Sequence, residues 1–281
     1  MNPITEFDQV RAFIRQVGQK AKQLRQDKFE VIQKGHLDYV TTVDRTIDQI
    51  CTAQFQAWFP DDGIITEENP DSMQIWQQDH DRLWLIDPID GTDDFIAGGE
   101  NYAVMVGLLE HNQPSMGWIY APERDLMFYG GSAIGGLFTQ TGDNYPIQLI
   151  PKTPPLRDRH RLLIGDKDQR KYGEEIQNLA PETEFYNMGG FGLKVMEVLM
   201  GNTELYFYLN RRVKLWDTVA PMAMAKFASV TVCDLDGAVI QYQPDVIDPV
   251  NLAHQQDVVV GWSQYVDLYL PKLVQVLAKF K

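Results

Sequence analysis

The sequence predicts a two-lobed protein of mixed α and β structure, with an α+β lobe over residues 1–150 and an α/β lobe over residues 151–281. Two helical patterns open the chain, and short β-prone runs dominate the rest of its first half. Helical and strand-like segments alternate in the second half. With 281 residues, of which 44% are hydrophobic, the chain is long enough for two lobes that share a cleft.

The first half opens with two amphipathic helices. Near Thr5, Asp8 completes a pattern that resembles a capping box. Apolar residues then recur at steps of three and four, at Phe7, Val10, Ile14, Val17, Ala21 and Leu24. A second helical pattern follows Thr41 and Thr42 and is expected to stop at Phe59-Pro60, because proline cannot continue a helix.

A sheet is predicted next. The β-prone runs are Ile64–Ile65, Leu83–Ile86, Tyr102–Leu109, Met116–Tyr120, Leu126–Tyr129 and Leu137–Thr139. They lie too close together for crossover helices, so the sheet is expected to be largely antiparallel.

The proline-rich segment 151–155 favours an extended connection and marks the expected boundary between the lobes. Beyond it, strand-like and helical segments alternate, as in an α/β lobe. Strands are expected at 162–164 and 205–209, and helices at 170–179, 192–200, after Trp216 and at 263–280.

Composition excludes several classes of protein. The 39 acidic residues outnumber the 25 basic ones and give a net charge of −14, which argues against binding to a nucleic acid polymer. The longest apolar stretch, Tyr102–Leu109, is far shorter than the ~20 residues of a membrane-spanning helix, and no secretory signal is visible. Cys51 and Cys233 are too few for a disulfide scaffold or a zinc cluster. A cytoplasmic protein without membrane partners is expected.

The most informative segment runs from Asp87 to Thr92. An apolar strand is expected to end at Asp87, and Asp90-Gly91 is expected to make a tight turn, so that two carboxylates lie at a strand exit. Such a pair suits Mg²⁺, which prefers oxygen ligands. Ordinary turn and capping roles would explain the same residues, since Asp-Gly turns are common.

Three further acidic positions accompany this segment. Glu67-Glu68 follows a predicted strand, Asp217 follows Trp216 at a predicted helix start, and Asp44 begins the second helix. A solvated strand edge or helix capping would explain each one taken singly. The five histidines, by contrast, are scattered and show no metal-ligand spacing.

Taken in order, these motifs resemble the inositol monophosphatase superfamily of metal-dependent, lithium-sensitive phosphomonoesterases, and the compatible segment 234–237 (Asp-Leu-Asp-Gly) extends the match. The resemblance implies a layered α-β-α-β-α sandwich with the active site between the lobes. It implies two or three Mg²⁺ ions, for which Mn²⁺ could substitute, and a small phosphorylated metabolite as the substrate. Homodimers are common among members of this superfamily.

The resemblance also implies a ligand set. Glu67, Asp87 and the Ile89 carbonyl would hold a first metal, and Asp87, Asp90 and Asp217 a second. Because clustered carboxylates repel one another and raise each other's pKa, cations would be needed to neutralise them.

Catalytic and substrate roles follow from the same resemblance. Thr92, paired with Asp44, would orient the attacking water together with Glu67. The remaining positions implied are phosphate or substrate contacts at Gly91, Thr92, Asp90, Lys194 and Asn210, and a supporting role behind the metal ligands for Glu68.

The substrate itself is less well specified. The segments 91–96 and 192–194 are similar to the superfamily branch that removes the 3′-phosphate of adenosine 3′,5′-bisphosphate. That branch usually has Tyr-Pro-Arg where this chain has the segment 206–208 (Tyr-Phe-Tyr). Inositol phosphatases have a glutamate near Asn210, and Ala228-Ser229 replaces the usual Gly-Gly.

Several alternatives therefore stay open. Inositol monophosphatase and fructose-1,6-bisphosphatase activities are the alternatives within the superfamily, and a non-catalytic phospholigand-binding regulatory protein is the alternative from another class. Arg211, Arg212 and Lys214 could neutralise a second phosphate or could form a solvated basic turn.

Overall fold

The computed structural model describes residues 3–35 and 38–280, and His36 lies outside this part of the chain. The helices are α1 (Pro3–Gln26), α2 (Thr42–Trp58), α3 (Ser72–Trp76), α4 (Thr92–Ala97), α5 (Asp166–Leu179), α6 (Phe191–Leu199), α7 (Leu215–Phe227) and α8 (Ser263–Ala278). The strands are β1 (Val31–Gly35), β2 (Asp38–Thr41), β3 (Gly63–Thr66), β4 (Arg82–Asp90), β5 (Ala103–Glu110), β6 (Gln113–Ala121), β7 (Leu126–Gly131), β8 (Gly136–Thr141), β9 (Ile147–Gln148), β10 (His160–Ile164), β11 (Thr183–Tyr186), β12 (Leu205–Tyr208), β13 (Thr231–Cys233) and β14 (Val258–Gly261).

The elements stack in five layers. Helices α1 and α2 cover one face of a seven-stranded sheet, and α6 and α7 lie between that sheet and a five-stranded one. Helices α5 and α8 cover the outer face of the second sheet. The expected α-β-α-β-α sandwich is therefore confirmed. None of the helices described is both long and apolar enough to cross a bilayer.

The seven-stranded sheet has the order β3-β4-β5-β6-β7-β8-β9. All its neighbours pair antiparallel except β3 and β4, which are parallel. The short helix α3 lies in the crossover between these two strands, and its five residues are too few to show a helical period in the sequence. The prediction of a largely antiparallel sheet holds for the rest.

The five-stranded sheet has the order β11-β10-β12-β14-β13. Strands β10, β11 and β12 run parallel, whereas β14 pairs antiparallel with both β12 and β13. The sequence predicted β10, β12 and the helices of this lobe. It did not predict β11, β13 or β14, which are only three or four residues long. The assignment of residues 1–150 and 151–281 to two lobes stays a prediction.

Strand β4 departs from its predicted end. The expectation that it stops at Asp87 was wrong, because the strand continues to Asp90 with a register shift against β5 between these two residues. Gly91 follows with a φ of +94°, which glycine tolerates far better than other residues. A Cβ at this position would also lie 2.8 Å from the Gly190 nitrogen. The irregularity thus turns the chain sharply from β4 into α4.

Helix α7 crosses directly over the seven-stranded sheet, and two glycines permit its close approach. A Cβ on Gly117 in β6 would lie 2.1 Å from the Ala220 carbonyl oxygen of α7. A Cβ on Gly107 in β5 would lie 2.6 Å from Val219 Cγ1. Both distances are shorter than van der Waals contact, so only glycine allows this helix to sit so close to the sheet.

We predict that Gly117→Ala destabilises the protein by about 1–3 kcal/mol, because the added methyl group must push α7 away from the sheet. Thermal unfolding measures the effect. Gly165→Ala is the matched control, since a Cβ at Gly165 meets no atom within 4 Å. Equal melting temperatures for the two variants would contradict this account of the packing.

Candidate metal and substrate site

Strand β4 and helix α7 bring three carboxylates together. Asp87 and Asp90 come from the irregular end of β4, and Asp217 comes from the first turn of α7. One carboxylate oxygen from each of these residues lies within 4.8 Å of the others. We call this group the acid cluster.

Backbone donors fix the three carboxylates in place. The Ile89 N–H donates to Asp87 Oδ1 at 3.0 Å, and the Lys214 N–H donates to Asp217 Oδ2 at 2.7 Å. Asp90 accepts two bonds from the start of α6, from the Phe191 N–H at 2.6 Å and the Gly192 N–H at 2.8 Å. The orientation of the carboxylates is therefore set by the backbone of three different elements.

Burial and mutual repulsion disfavour the ionised forms of these acids. Burial, joined by the negative charges of Glu67, Asp90 and Asp217, raises the pKa of Asp87 well above its usual range. Burial and the Asp90 charge raise the pKa of Asp217 to about 7. Burial also raises the pKa of Asp90, although its two backbone donors and the Lys194 charge oppose the shift.

Glu67 lies beside the acid cluster but is not one of its three members. Lys34, from the β1–β2 hairpin, donates to Glu67 Oε1 at 3.2 Å and also bonds Glu68. Burial raises the pKa of Glu67 to about 8, although the Lys34 charge opposes this shift. Glu68 also holds a backbone contact, since its N–H donates to Asp48 at 3.4 Å. Lys34 thus supplies part of the positive charge at this end of the site.

Thr92 and Asp44 form a second polar pair near the cluster. The Thr92 hydroxyl lies 3.2 Å from Asp44 Oδ1 and 3.1 Å from the Ile89 carbonyl oxygen. Asp44 is 2% exposed and also accepts from the Thr41 N–H at 2.9 Å and from the Thr41 hydroxyl. This capping box at the start of α2 holds Asp44 so that its second oxygen can face Thr92.

A cleft of about 620 Å³ lies beside the acid cluster. None of the three acids lines it, but Gly190, which does, would carry a Cβ only 2.8 Å from Asp90 Oδ2. Other lining residues are Glu67 after β3, Thr92 at the start of α4, Lys194 in α6 and Asn210 after β12. Four of the five predicted substrate contacts, Gly91, Thr92, Lys194 and Asn210, therefore line one cavity, whereas Asp90 is not among its lining residues. Tyr208 also lines it, at the position where the nucleotidase branch usually has arginine.

Lys194 is the most enclosed cation of the cleft. Its ammonium lies 5.5 Å from the centre of the Tyr206 ring, and no carboxylate of residues 3–35 and 38–280 forms an ion pair with it. Burial lowers the pKa of Lys194, although nearby carboxylates, Asp90 first among them, oppose the shift. An anionic group of a ligand would be a suitable partner for this ammonium.

Some residues singled out in the sequence lie elsewhere. Arg211 pairs with Asp257, its Nη2 lying 3.0 Å from Oδ2, and both line a separate cavity with Asp234 and Asp236. Arg211 is therefore not a cation of the cleft.

The sequence did not single out several residues that line the cleft or the site. Gly189 and Gly190 precede α6, and a Gly-Gly pair before an apolar helix was an available signal. Asp166 and Asp168 line the cleft from the first turn of α5. Acidic residues are common in the first turn of a helix, so the sequence does not distinguish these two. Lys34 lies in a short hairpin, and nothing in the sequence distinguishes it from other surface lysines.

The donor set of the acid cluster fits a hard divalent cation. Three carboxylates offer only oxygen ligands, and a cation would remove the repulsion that raises their pKa values. The described histidines do not join the cluster, so the ligand chemistry favours Mg²⁺ or Mn²⁺ over Zn²⁺.

Comparison with known proteins agrees with this geometry. The chain is 29% identical over 241 residues to the 3′(2′),5′-bisphosphate nucleotidase CysQ of Escherichia coli, covering 85% of this chain and 94% of CysQ. It is 26% identical over 271 residues to the Nus factor SuhB of Xylella fastidiosa, covering 88% of this chain and 90% of SuhB.

A solved structure of similar fold is an IMPase/NADP phosphatase complexed with Mg²⁺ and phosphate. Its TM-score is 0.74 at 18% identity, over 97% of this chain and 96% of that one. The profile of the inositol monophosphatase family matches residues 2–276. The resemblance first seen in four short acidic motifs is thus confirmed over almost the whole sequence, and the chain belongs to the inositol monophosphatase family.

Proposed function

We propose that this protein is a Mg²⁺-dependent phosphomonoesterase that hydrolyses a small phosphorylated metabolite. The observation that carries the proposal is the acid cluster, in which oxygens of Asp87, Asp90 and Asp217 lie within 4.8 Å of one another. Gly91, which directly follows Asp90, lines the cleft. Membership of the inositol monophosphatase family supports the proposal. The expected cytoplasmic location and homodimer stay predictions.

In this proposal Asp87, Asp90 and Asp217 would hold one cation. Asp87, Glu67 and the Ile89 carbonyl would hold a second one. Glu67 now contacts Lys34, so cation binding and the Lys34 ammonium would compete for the same carboxylate. When bound, the cations would polarise the phosphate oxygens and lower the pKa of an attacking water.

Thr92, Asp44 and Glu67 would position that water. The Thr92 hydroxyl can donate to Asp44, 3.2 Å away, which leaves its oxygen free to accept a hydrogen bond from the water. A carboxylate at Glu67 could accept a second hydrogen bond from the water and then its proton, as the water oxygen bonds to phosphorus and the bond from phosphorus to the ester oxygen breaks. The released ester oxygen would take a proton from solvent. The Gly91 and Thr92 N–H groups, where the chain turns into α4, would donate to the phosphate.

The proposed substrate is a bisphosphate such as adenosine 3′,5′-bisphosphate. A cleft of about 620 Å³ is large enough for a ligand of nucleotide size. The Lys194 ammonium, which forms no ion pair with the described carboxylates, would bind the phosphate that is not cleaved. The 29% identity to the nucleotidase CysQ supports this choice over inositol phosphate and fructose 1,6-bisphosphate.

A second candidate is a phospholigand-binding regulatory protein without catalysis. The similarity to a protein named Nus factor favours it. Release of phosphate from any of the three phosphoesters, dependent on Mg²⁺, would exclude this candidate.

We predict that Asp217→Asn lowers turnover of the best substrate at least about 100-fold, because one of the three carboxylates proposed to hold the cation is lost. The variant should still fold, since asparagine removes a buried negative charge without changing volume. Phosphate release measures turnover, and circular dichroism checks the fold. Asp143→Asn is the control, since the Asp143 side chain is 94% exposed. Equal turnover of both variants would contradict the proposed site.

We also predict that the metal-free protein loses stability as the pH rises from about 5 to about 8. The folded-state pKa values of Asp217, about 7, and Glu67, about 8, lie above the usual range, so their contribution is complete below pH ~4.5 and disappears as they ionise. Mg²⁺ at one hundred times its Kd should restore about 2.7 kcal/mol at pH 8. Melting temperatures in EDTA and in Mg²⁺ provide the measurement. A slope in Asp217→Asn as steep as in the wild type would contradict the assignment.

Lys194→Gln should raise the KM of adenosine 3′,5′-bisphosphate about tenfold or more, because a charge-assisted contact is lost. The KM of inositol 1-phosphate should change little, since that substrate has no second phosphate. Lys171→Gln is the control, because Lys171 lies against Tyr172, outside the cleft. Equal increases for both substrates would assign Lys194 to the cleaved phosphate instead.

A further inference from the structure

A loop whose two ends are buried packs against the start of α7, the turn that carries Asp217. This loop comprises residues 247–254. The Leu215 N–H donates to the Leu252 carbonyl at 3.1 Å, and the His254 N–H donates to the Val213 carbonyl at 2.9 Å. Its residues do not line the cleft. The loop therefore reaches the acid cluster only through the start of α7.

His254 extends this contact with its side chain. It is 1% exposed, and its Nε2 lies 2.8 Å from the Thr218 hydroxyl oxygen. That hydroxyl also lies 3.2 Å from the Leu215 carbonyl, to which only the hydroxyl can donate. The imidazole therefore donates from Nε2 to Thr218, and Thr218 donates to Leu215. This chain of hydrogen bonds ties the loop to the residue that follows Asp217.

The surroundings of His254 fit a fixed, neutral imidazole. Burial lowers its pKa to about 4, so the ring is uncharged at neutral pH. The Tyr242 ring packs edge-on against it, with centroids 5.1 Å apart at 89°. Its Nδ1 has no hydrogen-bond partner among residues 3–35 and 38–280. With the ring proton on Nε2, Nδ1 carries a lone pair and no hydrogen. Leaving this acceptor without a partner costs less free energy than leaving a buried N–H without one.

The backbone of the loop is strained where it meets α7. Leu252 is fully buried and has a φ of +56°, a conformation that costs a residue with a side chain about 1 kcal/mol or more. Its carbonyl is the acceptor for Leu215 in this conformation. The surrounding contacts thus hold a strained residue against the first turn of the helix.

We propose that His254 is a positioning residue for the cation site, acting through Thr218 to fix the first turn of α7 and hence Asp217. The inference rests on the proposed function, because it concerns the cations assigned to the acid cluster. Asp217 accepts a hydrogen bond from the Lys214 N–H, and Lys214 itself forms an isolated antiparallel bridge with Ala253 of the 247–254 loop. A shift of this turn would move one of three oxygens that lie within 4.8 Å.

The test is the Mg²⁺ affinity of His254→Leu, measured by isothermal titration calorimetry and by the Mg²⁺-induced rise in melting temperature. We expect the Kd to rise about tenfold, within the range typical for residues that orient metal ligands. His254→Gln should recover most of the affinity, because its amide nitrogen can donate as Nε2 does. Thr218→Val, which keeps the volume, should match His254→Leu, and the double variant should be no weaker than either single one.

Tyr269→Phe is the control for general destabilisation. It removes a hydroxyl that lies 2.9 Å from His160 Nδ1. Tyr269 belongs to α8, on the outer face of the five-stranded sheet. This variant should lose stability and keep the Mg²⁺ Kd of the wild type. A melting temperature lowered in His254→Leu with an unchanged Kd would assign His254 to the core alone and overturn the inference. If the wild type itself failed to bind Mg²⁺, both this inference and the proposed function would be wrong.

Discussion

Three carboxylates, two of them buried and the third partly buried, converge so that one oxygen of each lies within 4.8 Å of the others, and the rest of the site is arranged around them. Asp87, Asp90 and Asp217 come from two elements, and burial raises the pKa of each, joined at Asp87 and Asp217 by the charges of neighbouring carboxylates. Carboxylates so arranged are unfavourable as ions unless a cation accompanies them. Hydrogen bonds from backbone N–H groups hold the carboxylates in this arrangement. The free-energy cost of keeping them together is therefore offset by the packing of the elements that carry those N–H groups.

The layered architecture explains how that cost is met. Helix α7 is packed between two sheets, and Gly107 and Gly117 let it approach the first sheet closely enough for Asp217 to reach the end of β4. The N–H groups at the start of α6 donate hydrogen bonds to Asp90, and the 247–254 loop forms backbone hydrogen bonds with the start of α7. The site is thus formed where four segments, distant in sequence, meet.

Much of this could be predicted from the sequence, and the reasons differ by element. Long helices such as α2 show a clear apolar period and a capping residue, Thr41, and the segment around Asp87 joins an apolar strand to a turn. Strands β11 and β13 are short, partly buried edge strands without a run of apolar residues, and β14 is apolar but is separated from α8 by a single residue. The extension of β4 to Asp90 depends on a register shift against β5, which no local pattern records.

The residues of the site also differ in how far the sequence indicates them. The acids could be predicted because several short motifs together are specific, although each one has an ordinary explanation. Lys34, Asp168 and His254 could not, since their roles come from tertiary proximity and each resembles a common surface or core residue in sequence. Arg211 shows the converse, because a basic turn that could have faced a phosphate pairs with Asp257 instead.

Cation binding by the three carboxylates can be tested with a crystal of the protein grown with Mn²⁺ and measured at a wavelength where manganese scatters anomalously. We expect an anomalous peak bounded by Asp87, Asp90 and Asp217, at about 2.1–2.2 Å from one oxygen of each. A well-ordered structure with these carboxylates in place and no peak between them would contradict this expectation.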